Sequence, residues 1–435
     1  MKIPHRLSFG WLLPALAGTV LLSGCSVLPI YPKGGSKNRA LIAYWPAPEG
    51  STKLKLAVKD NIDMAGLVTS AGSEYFAKSR PPAAHDAPLL AIARKRDIHI
   101  VGKANLSEFA VAPSGVNEYF GTPKNPFSGW RRLIPGGSSS GSAVAVASGL
   151  ADVAFGTDTA GSVRVPAACC GVVGLKTTFG LVPIKGVHPI EDDHLDTVGP
   201  IGRDIALTVQ GMDLLQEGFA AKYQAAVAAK PTGATIKVGR LYLKGTDRQI
   251  DEAVDDALTK AGFQVVPLKA DFAAKWEQAK TDGNTLAAAG VWISNQQHRF
   301  RLTVAPRTKS AIFIGNVAYL KDYRKALQRR DEWQDALNGA LSKVDFIVLP
   351  TMQSAPPPIP PNFQIGILEA RILVLQNTVA VNFAGNPALA VPVPMRRGRV
   401  PATSLQLIGP RLGEAKLLNA GRLIEAAVGK VDHDD

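Results

Sequence analysis

From Leu54 onward, short apolar runs alternate with amphipathic stretches, the pattern of strands interleaved with helices. Residues 54–58 predict a strand that runs into Lys59-Asp60-Asn61, residues 87–96 a helix, and residues 98–101 the next strand. Small apolar residues fill 143–155 almost without interruption, predicting a buried helix over 143–149 and a short strand over 153–155. Residues 236–242, 251–261 and 263–266 form a strand–helix–strand unit. Residues 346–349 predict a buried strand ending at Pro350. Residues 388–393 and 404–408 predict paired late strands, and 417–427 a closing helix. Interspersed strands and helices predict an α/β fold: one large α/β/α domain, a central mixed sheet covered by helices on both faces. The stretch from about 205 to 345 is more helical and more polar, which marks it as an insertion or lid.

The N-terminus reads differently. Lys2 and Arg6 precede an apolar stretch from Leu12 to Leu22 that is short for a membrane span. It closes in Leu22-Ser23-Gly24-Cys25, which resembles the bacterial lipobox. The expectation is a lipoprotein signal peptide over 1–24, lipidation at Cys25, a tether over 25–50 and a globular domain over 51–430. That segment implies a protein exported and lipid-anchored to a bacterial membrane facing the periplasm, and Ser26 after the cysteine, in place of an aspartate, favors the outer membrane in a Gram-negative cell. The 435 residues, 46% apolar and 20% charged, suit a large core, and the balance of +13 raises the question of nucleic acid. Its basic clusters (Arg94-Lys95-Arg96, Arg329-Arg330, Arg396-Arg397) are short, scattered and not interleaved with aromatics, so a solvated basic surface is expected and no nucleic-acid partner. Cys169 and Cys170 are adjacent in a small-apolar run and are read as buried packing. No His/Cys cluster has metal spacing, so no metal is expected. A monomer or homodimer fits this composition.

Chemistry concentrates in two glycine loops, Gly136-Gly137-Ser138-Ser139-Ser140-Gly141-Ser142 and Gly156-Thr157-Asp158-Thr159-Ala160-Gly161-Ser162. Ser138 and Ser162 stand 24 residues apart, joined by one short helix and one strand. Glycine lets the backbone turn and expose N–H groups, and serine supplies a nucleophile. Two such loops meeting at one end of a core are the elements of a hydrolytic site.

These loops, with Val58-Lys59-Asp60-Asn61, 102–109, 163–167, 171–176, 195–200, 385–392 and 405–409, resemble the amidase signature family closely over roughly residues 50 to 425. The resemblance implies a Ser–cis-Ser–Lys triad: Ser162 as nucleophile, Ser138 as bridging serine on a cis peptide, Lys59 as base, with no cofactor. A lysine is a base only when neutral, so burial has to lower its ordinary value near 10.4. Thr159, Ala160, Gly161 and Ser162 are the expected backbone oxyanion hole. Ala160 stands where the commonest family form has glycine, as in an allophanate-hydrolase-like branch. Asp158 and Arg164 are expected to support the loop. The implied reaction is hydrolysis of a small-molecule carboxamide through an acyl-enzyme. Hydrolysis of an allophanate-type substrate or an ester is the alternative within the family, and a non-catalytic binding lipoprotein the alternative outside it.

One competing pattern exists. Gly137-Ser138-Ser139-Ser140-Gly141 matches the Gly-x-Ser-x-Gly elbow, which would make Ser139 the nucleophile with Asp196 and His298. The elbow needs a strand directly before it, and Trp130–Pro135 is a poor one. His194, beside two aspartates, reads as a solvated turn.

Overall fold

The computed structural model describes residues 34–361, 364–431 and 433. The segment read as a signal peptide, Cys25 and the first part of the expected tether lie outside the described residues. Among the described residues eleven strands, numbered in chain order, form one sheet in the order β1-β3-β2-β4-β6-β5-β10-β11-β9-β7-β8. They are β1 (Leu41–Tyr44), β2 (Leu54–Lys59), β3 (Ile98–Ala104), β4 (Val153–Asp158), β5 (Val173–Lys176), β6 (Thr197–Gly202), β7 (Lys237–Arg240), β8 (Gln264–Pro267), β9 (Phe346–Pro350), β10 (Ala388–Pro394) and β11 (Ala402–Ile408). β2 runs parallel to β3 and β4, and β7 parallel to β8 and β9, while β6, β5, β10 and β11 are joined antiparallel. The sheet is therefore mixed, as expected.

Alternation along the strands builds two different faces. Leu56, Val58, Val153, Phe155, Leu389 and Val391 enter one core, with the helices Ile205–Asp213, Phe219–Ala228, Arg248–Lys260 and Glu414–Val428. Ala57, Ala154 and Ala390 point the other way, toward the helices Ser140–Ala147 and Arg164–Cys170. Alanines on that face and small residues on the helices let these backbones come close to the sheet. Every residue of Ser140–Ala147 is buried, so this short helix is held by packing, not by its own propensity.

Two expectations need revision. Residues 41–44, read as tether, are the edge strand β1, antiparallel to β3, with Ala40 and Leu41 fully buried. The run is only four residues long and is flanked by Gly, Ser and Pro, which hid it. The middle region is not only a lid, because β7 and β8 extend the central sheet. Its long helices Ala270–Asn295 and Pro306–Lys321 pack on each other beside the site.

Candidate active site

β2 and β4 lie side by side and parallel, Val58 opposite Phe155, so their C-terminal ends open at the same edge of the sheet. Lys59 closes β2, and β4 ends in Thr157-Asp158 before the loop carrying Ser162. The helix Ser140–Ala147, packed against both strands, brings Ser138 to the same point.

Lys59 is fully buried, and its Nζ donates to Ser138 Oγ at 2.7 Å and to Thr157 Oγ1 at 2.7 Å. Asn61 Nδ2 also donates to Thr157 Oγ1, at 3.2 Å. Burial pushes the lysine down to about 7; the nearby Asp158 and Asp196 push it upward, but desolvation wins. Near neutral pH an uncharged amine can thus persist here. Ser138 N–H donates to Ser162 Oγ at 3.1 Å. Ser138 therefore touches both partners, Lys59 through its hydroxyl and Ser162 through its amide. In the structure the link between the two serines is this backbone bond. No peptide bond among the described residues is cis, which corrects the expectation for Ser138. The turn is made instead by two successive positive φ angles, 77° at Gly136 and 53° at Gly137.

Asp158 and Arg164 form a buried clamp behind the nucleophile loop. The Arg164 guanidinium reaches Asp158 through Nε at 3.0 Å and Nη2 at 2.8 Å, and both side chains are fully buried. Its Nη1 donates to Thr378 O at 3.0 Å and Gln406 Oε1 at 2.6 Å. Asp158 in turn accepts Gly161 N–H at 2.8 Å, Val163 N–H at 3.1 Å and Asn382 Nδ2 at 2.8 Å. Burial alone would raise the Asp158 carboxyl; Arg164 and these donors hold it well below the usual carboxylate range. These bonds fix the pair directly behind the loop that carries Ser162.

The expected oxyanion hole is modified. Gly161 N–H is taken by Asp158, so it does not face a substrate oxygen. Among the described residues the N–H groups of Thr159, Ala160 and Ser162 have no hydrogen-bond partner, which leaves them available. Gly161 is needed for shape. Its φ is +130°, and a Cβ there would lie 2.2 Å from Thr378 Oγ1. Ala160 has no positive φ, so the alanine costs the loop nothing. Thr159 Oγ1 donates to Asp196, whose carboxyl burial raises to about 6.

Thr159, Ala160 and Ser162 line a cavity of about 220 Å³. Its walls are mainly apolar (Ala287, Ala288, Val291, Ala311, Ile314, Leu373), from the helices Ala270–Asn295, Pro306–Lys321 and Ile365–Leu375. The variable middle region thus borders the reacting center, and Ile190 enters from the 188–196 loop.

The other candidates are placed elsewhere. Ser139 is fully buried, with its Oγ on the Thr157 backbone, while His298 packs against Phe76 and Phe109, so no elbow triad assembles. Cys169 and Cys170 are buried free thiols, Cys169 pushed up to about 12 and Cys170 also raised by burial. His194 bonds to Glu191 at 2.9 Å and does not line the cavity. No cluster of His, Cys, Asp and Glu suited to a metal occurs among the described residues. Sequence reasoning missed Thr157, Asn61, Thr378 and Asn382. The first two sit inside quoted motifs; the others come from a distant segment without local signal.

A family model described as Amidase matches residues 54–418. The chain belongs to the amidase family, whose members hydrolyze carbon–nitrogen bonds. It is 35% identical over 393 residues to a 2-amino-5-chloromuconic acid deaminase of Comamonas testosteroni, covering 87% of this chain and 82% of that one. It is 34% identical over 408 residues to a glutamyl-tRNA(Gln) amidotransferase subunit of Natronomonas pharaonis, covering 84% of this chain and 93% of the relative. The structure of the corresponding subunit from Thermotoga maritima superposes with a TM-score of 0.73 at 25% identity, covering 97% and 92% of the two chains.

Proposed function

We propose that this amidase cleaves a small carboxamide with Ser162 as nucleophile, Ser138 as bridge and Lys59 as base. The observation that carries the reading is the fully buried Lys59, 2.7 Å from Ser138 Oγ, whose own N–H holds Ser162 Oγ at the cavity wall. Ser162 keeps the Ser138 N–H bond and turns its hydroxyl hydrogen onto Ser138 Oγ, a contact that has to close on substrate binding. Uncharged Lys59 then takes a proton from Ser138 as Ser138 takes one from Ser162, and Ser162 Oγ attacks the carbonyl carbon. Ser138 N–H stabilizes charge on the attacking oxygen. The free N–H groups of Thr159, Ala160 and Ser162 receive the carbonyl oxygen, each worth about 3 kcal/mol. The same chain returns the proton to the leaving nitrogen, and water then releases the acid.

Export and a lipid anchor at Cys25 are part of the proposal. Lys2, Arg6, the apolar run and Leu22-Ser23-Gly24-Cys25 support them. An enzyme outside the cytoplasm would act on a free amide instead of a charged tRNA, whatever its likeness to amidotransferase subunits. Mass spectrometry of the membrane fraction should find acylated Cys25, and an unmodified soluble chain would count against the anchor. For the reaction, an amide library is screened with the full chain, Ser162→Ala and Lys59→Ala, alongside a fluorophosphonate probe. Turnover and labeling that survive in Ser162→Ala would reject the assignment. Esters or urea-derived carboxylates turned over in preference to amides would support the alternative chemistry.

A further inference from the structure

The cavity beside Ser162 is apolar except at a few points, and those points differ in how far they are satisfied. Arg307 lines it but is already neutralized: it pairs with Glu369 at 2.9 Å and with Glu118 at 2.6 Å. Glu369 also accepts the N–H and hydroxyl of Ser114, so neither charge is free for a ligand. Two neutral amides are in the opposite condition. Gln376 is only 2% exposed and its Nε2 has no hydrogen-bond partner among the described residues, and Asn284 Oδ1 is likewise buried without one. Both line the cavity.

They also belong to one wall. Lys280 Nζ, one turn before Asn284, donates to Val374 O at 2.6 Å, two residues before Gln376. A Cβ on Gly283 would lie 2.8 Å from Val379 Cγ2, so the helix Ala270–Asn295 presses directly on the segment following Gln376. That segment reaches the nucleophile loop, since Thr378 Oγ1 donates to Ala160 O. A buried polar group without a partner is costly, and it becomes a recognition element when a ligand supplies the missing bond.

Resting on the reading of Ser162 as nucleophile, we propose that Gln376 and Asn284 bind a second, uncharged amide of the substrate. The substrate class is a compound with two amide groups separated by an apolar spacer. One amide meets Ser162, the spacer lies along the alanine, valine and isoleucine wall, and the other amide pairs with Gln376 and Asn284. An amide offers both a carbonyl and an N–H, which matches a donor and an acceptor presented together. A carboxylate or ammonium would be buried without a free countercharge, which is unfavorable.

The test measures ammonia release by the full chain from α,ω-diamides, succinamide through sebacamide, against alkanamides of equal carbon number and the matching monoamide acids. At least one diamide length should show kcat/KM about tenfold or more above its alkanamide, the worth of one buried hydrogen bond. Gln376→Met and Asn284→Leu should each collapse that ratio by about tenfold, with fluorophosphonate labeling of Ser162 reporting that the variant is folded. No diamide preference in the wild type, a preference for the monoamide acid, or an unchanged ratio in labeled variants would overturn the inference. If a variant does not label, the wild-type length series decides alone. A wild type that neither labels nor turns over any amide would remove the Ser162 reading itself, whereas labeling without diamide preference removes only this one.

Discussion

Replacing Lys59 with methionine should abolish activity and yet stabilize the fold. The side chain is fully buried, and its environment lowers it from 10.5 to about 7, with desolvation as the leading cause. At about 1.4 kcal/mol per pH unit, that difference corresponds to about 5 kcal/mol of folding energy given up to keep the amine inside. Between pH 7 and 10.5 the unfolded chain holds a proton that the folded chain has lost, so wild-type stability rises with pH across this window. Below pH 7 both states carry the proton, and the cost stays at its full value. At pH 7.5 about 4 kcal/mol of cost remains. Methionine, of similar length, removes it but leaves Ser138 Oγ and Thr157 Oγ1 each short of a donor, at about 1 kcal/mol apiece. Lys59→Met should then be about 2 kcal/mol more stable than wild type at pH 7.5. The gain should grow to about 3 kcal/mol below pH 7, vanish near pH 9 and reverse by pH 10. Lys176, fully buried and also lowered to about 7, is common to both proteins and cancels. Equilibrium urea unfolding at pH 6.5, 7.5 and 9, with the midpoints compared, reads this directly. A variant less stable than wild type at pH 6.5, or a difference that does not change with pH, would refute the reasoning.

The same amine predicts a pH–rate profile in which kcat/KM falls tenfold per unit below about pH 7, as protonation removes the base; a flat profile down to pH 5 would exclude Lys59 from that role. Gly161→Ala should destabilize by about 1–3 kcal/mol and slow labeling of Ser162, through the clash with Thr378 and the strained φ. Ala160→Gly should change thermal stability by less than about 1 kcal/mol, because no positive φ is at stake there. Asp158→Asn strands the buried Arg164 charge and should cost about 3–5 kcal/mol by urea unfolding. Because Asp158 is held below its ordinary value, the stability it supplies is present near neutral pH and lost as pH falls below about 4.

Local signals carried much of this protein. The strands at 54–58, 153–155, 346–349 and 388–393 stand where their apolar runs predict, because each is buried on both faces. Lys59, Ser138 and Ser162 meet at one sheet edge, as the two glycine loops imply. What stayed hidden depends on partners far away in sequence. β1 is too short to show a period, and only its pairing with β3 defines it. The loss of Gly161 from the oxyanion set follows from where the Asp158 carboxylate points, which no spacing rule contains. Gln376 and Asn284 look like ordinary polar residues until the fold buries the Gln376 Nε2 and Asn284 Oδ1 atoms without hydrogen-bond partners among the described residues.

The Arg164 clamp ties the nucleophile loop to Thr378, Asn382 and Gln406, the last of them 242 positions further along the chain. A ribosome that has already made Lys59, Ser138 and Ser162 has another 244 residues to add, through Gln406, before all of those anchors exist. Products that stop between Ser162 and Gln406 therefore hold every reactive group without the full set of anchors that fixes the loop carrying the nucleophile.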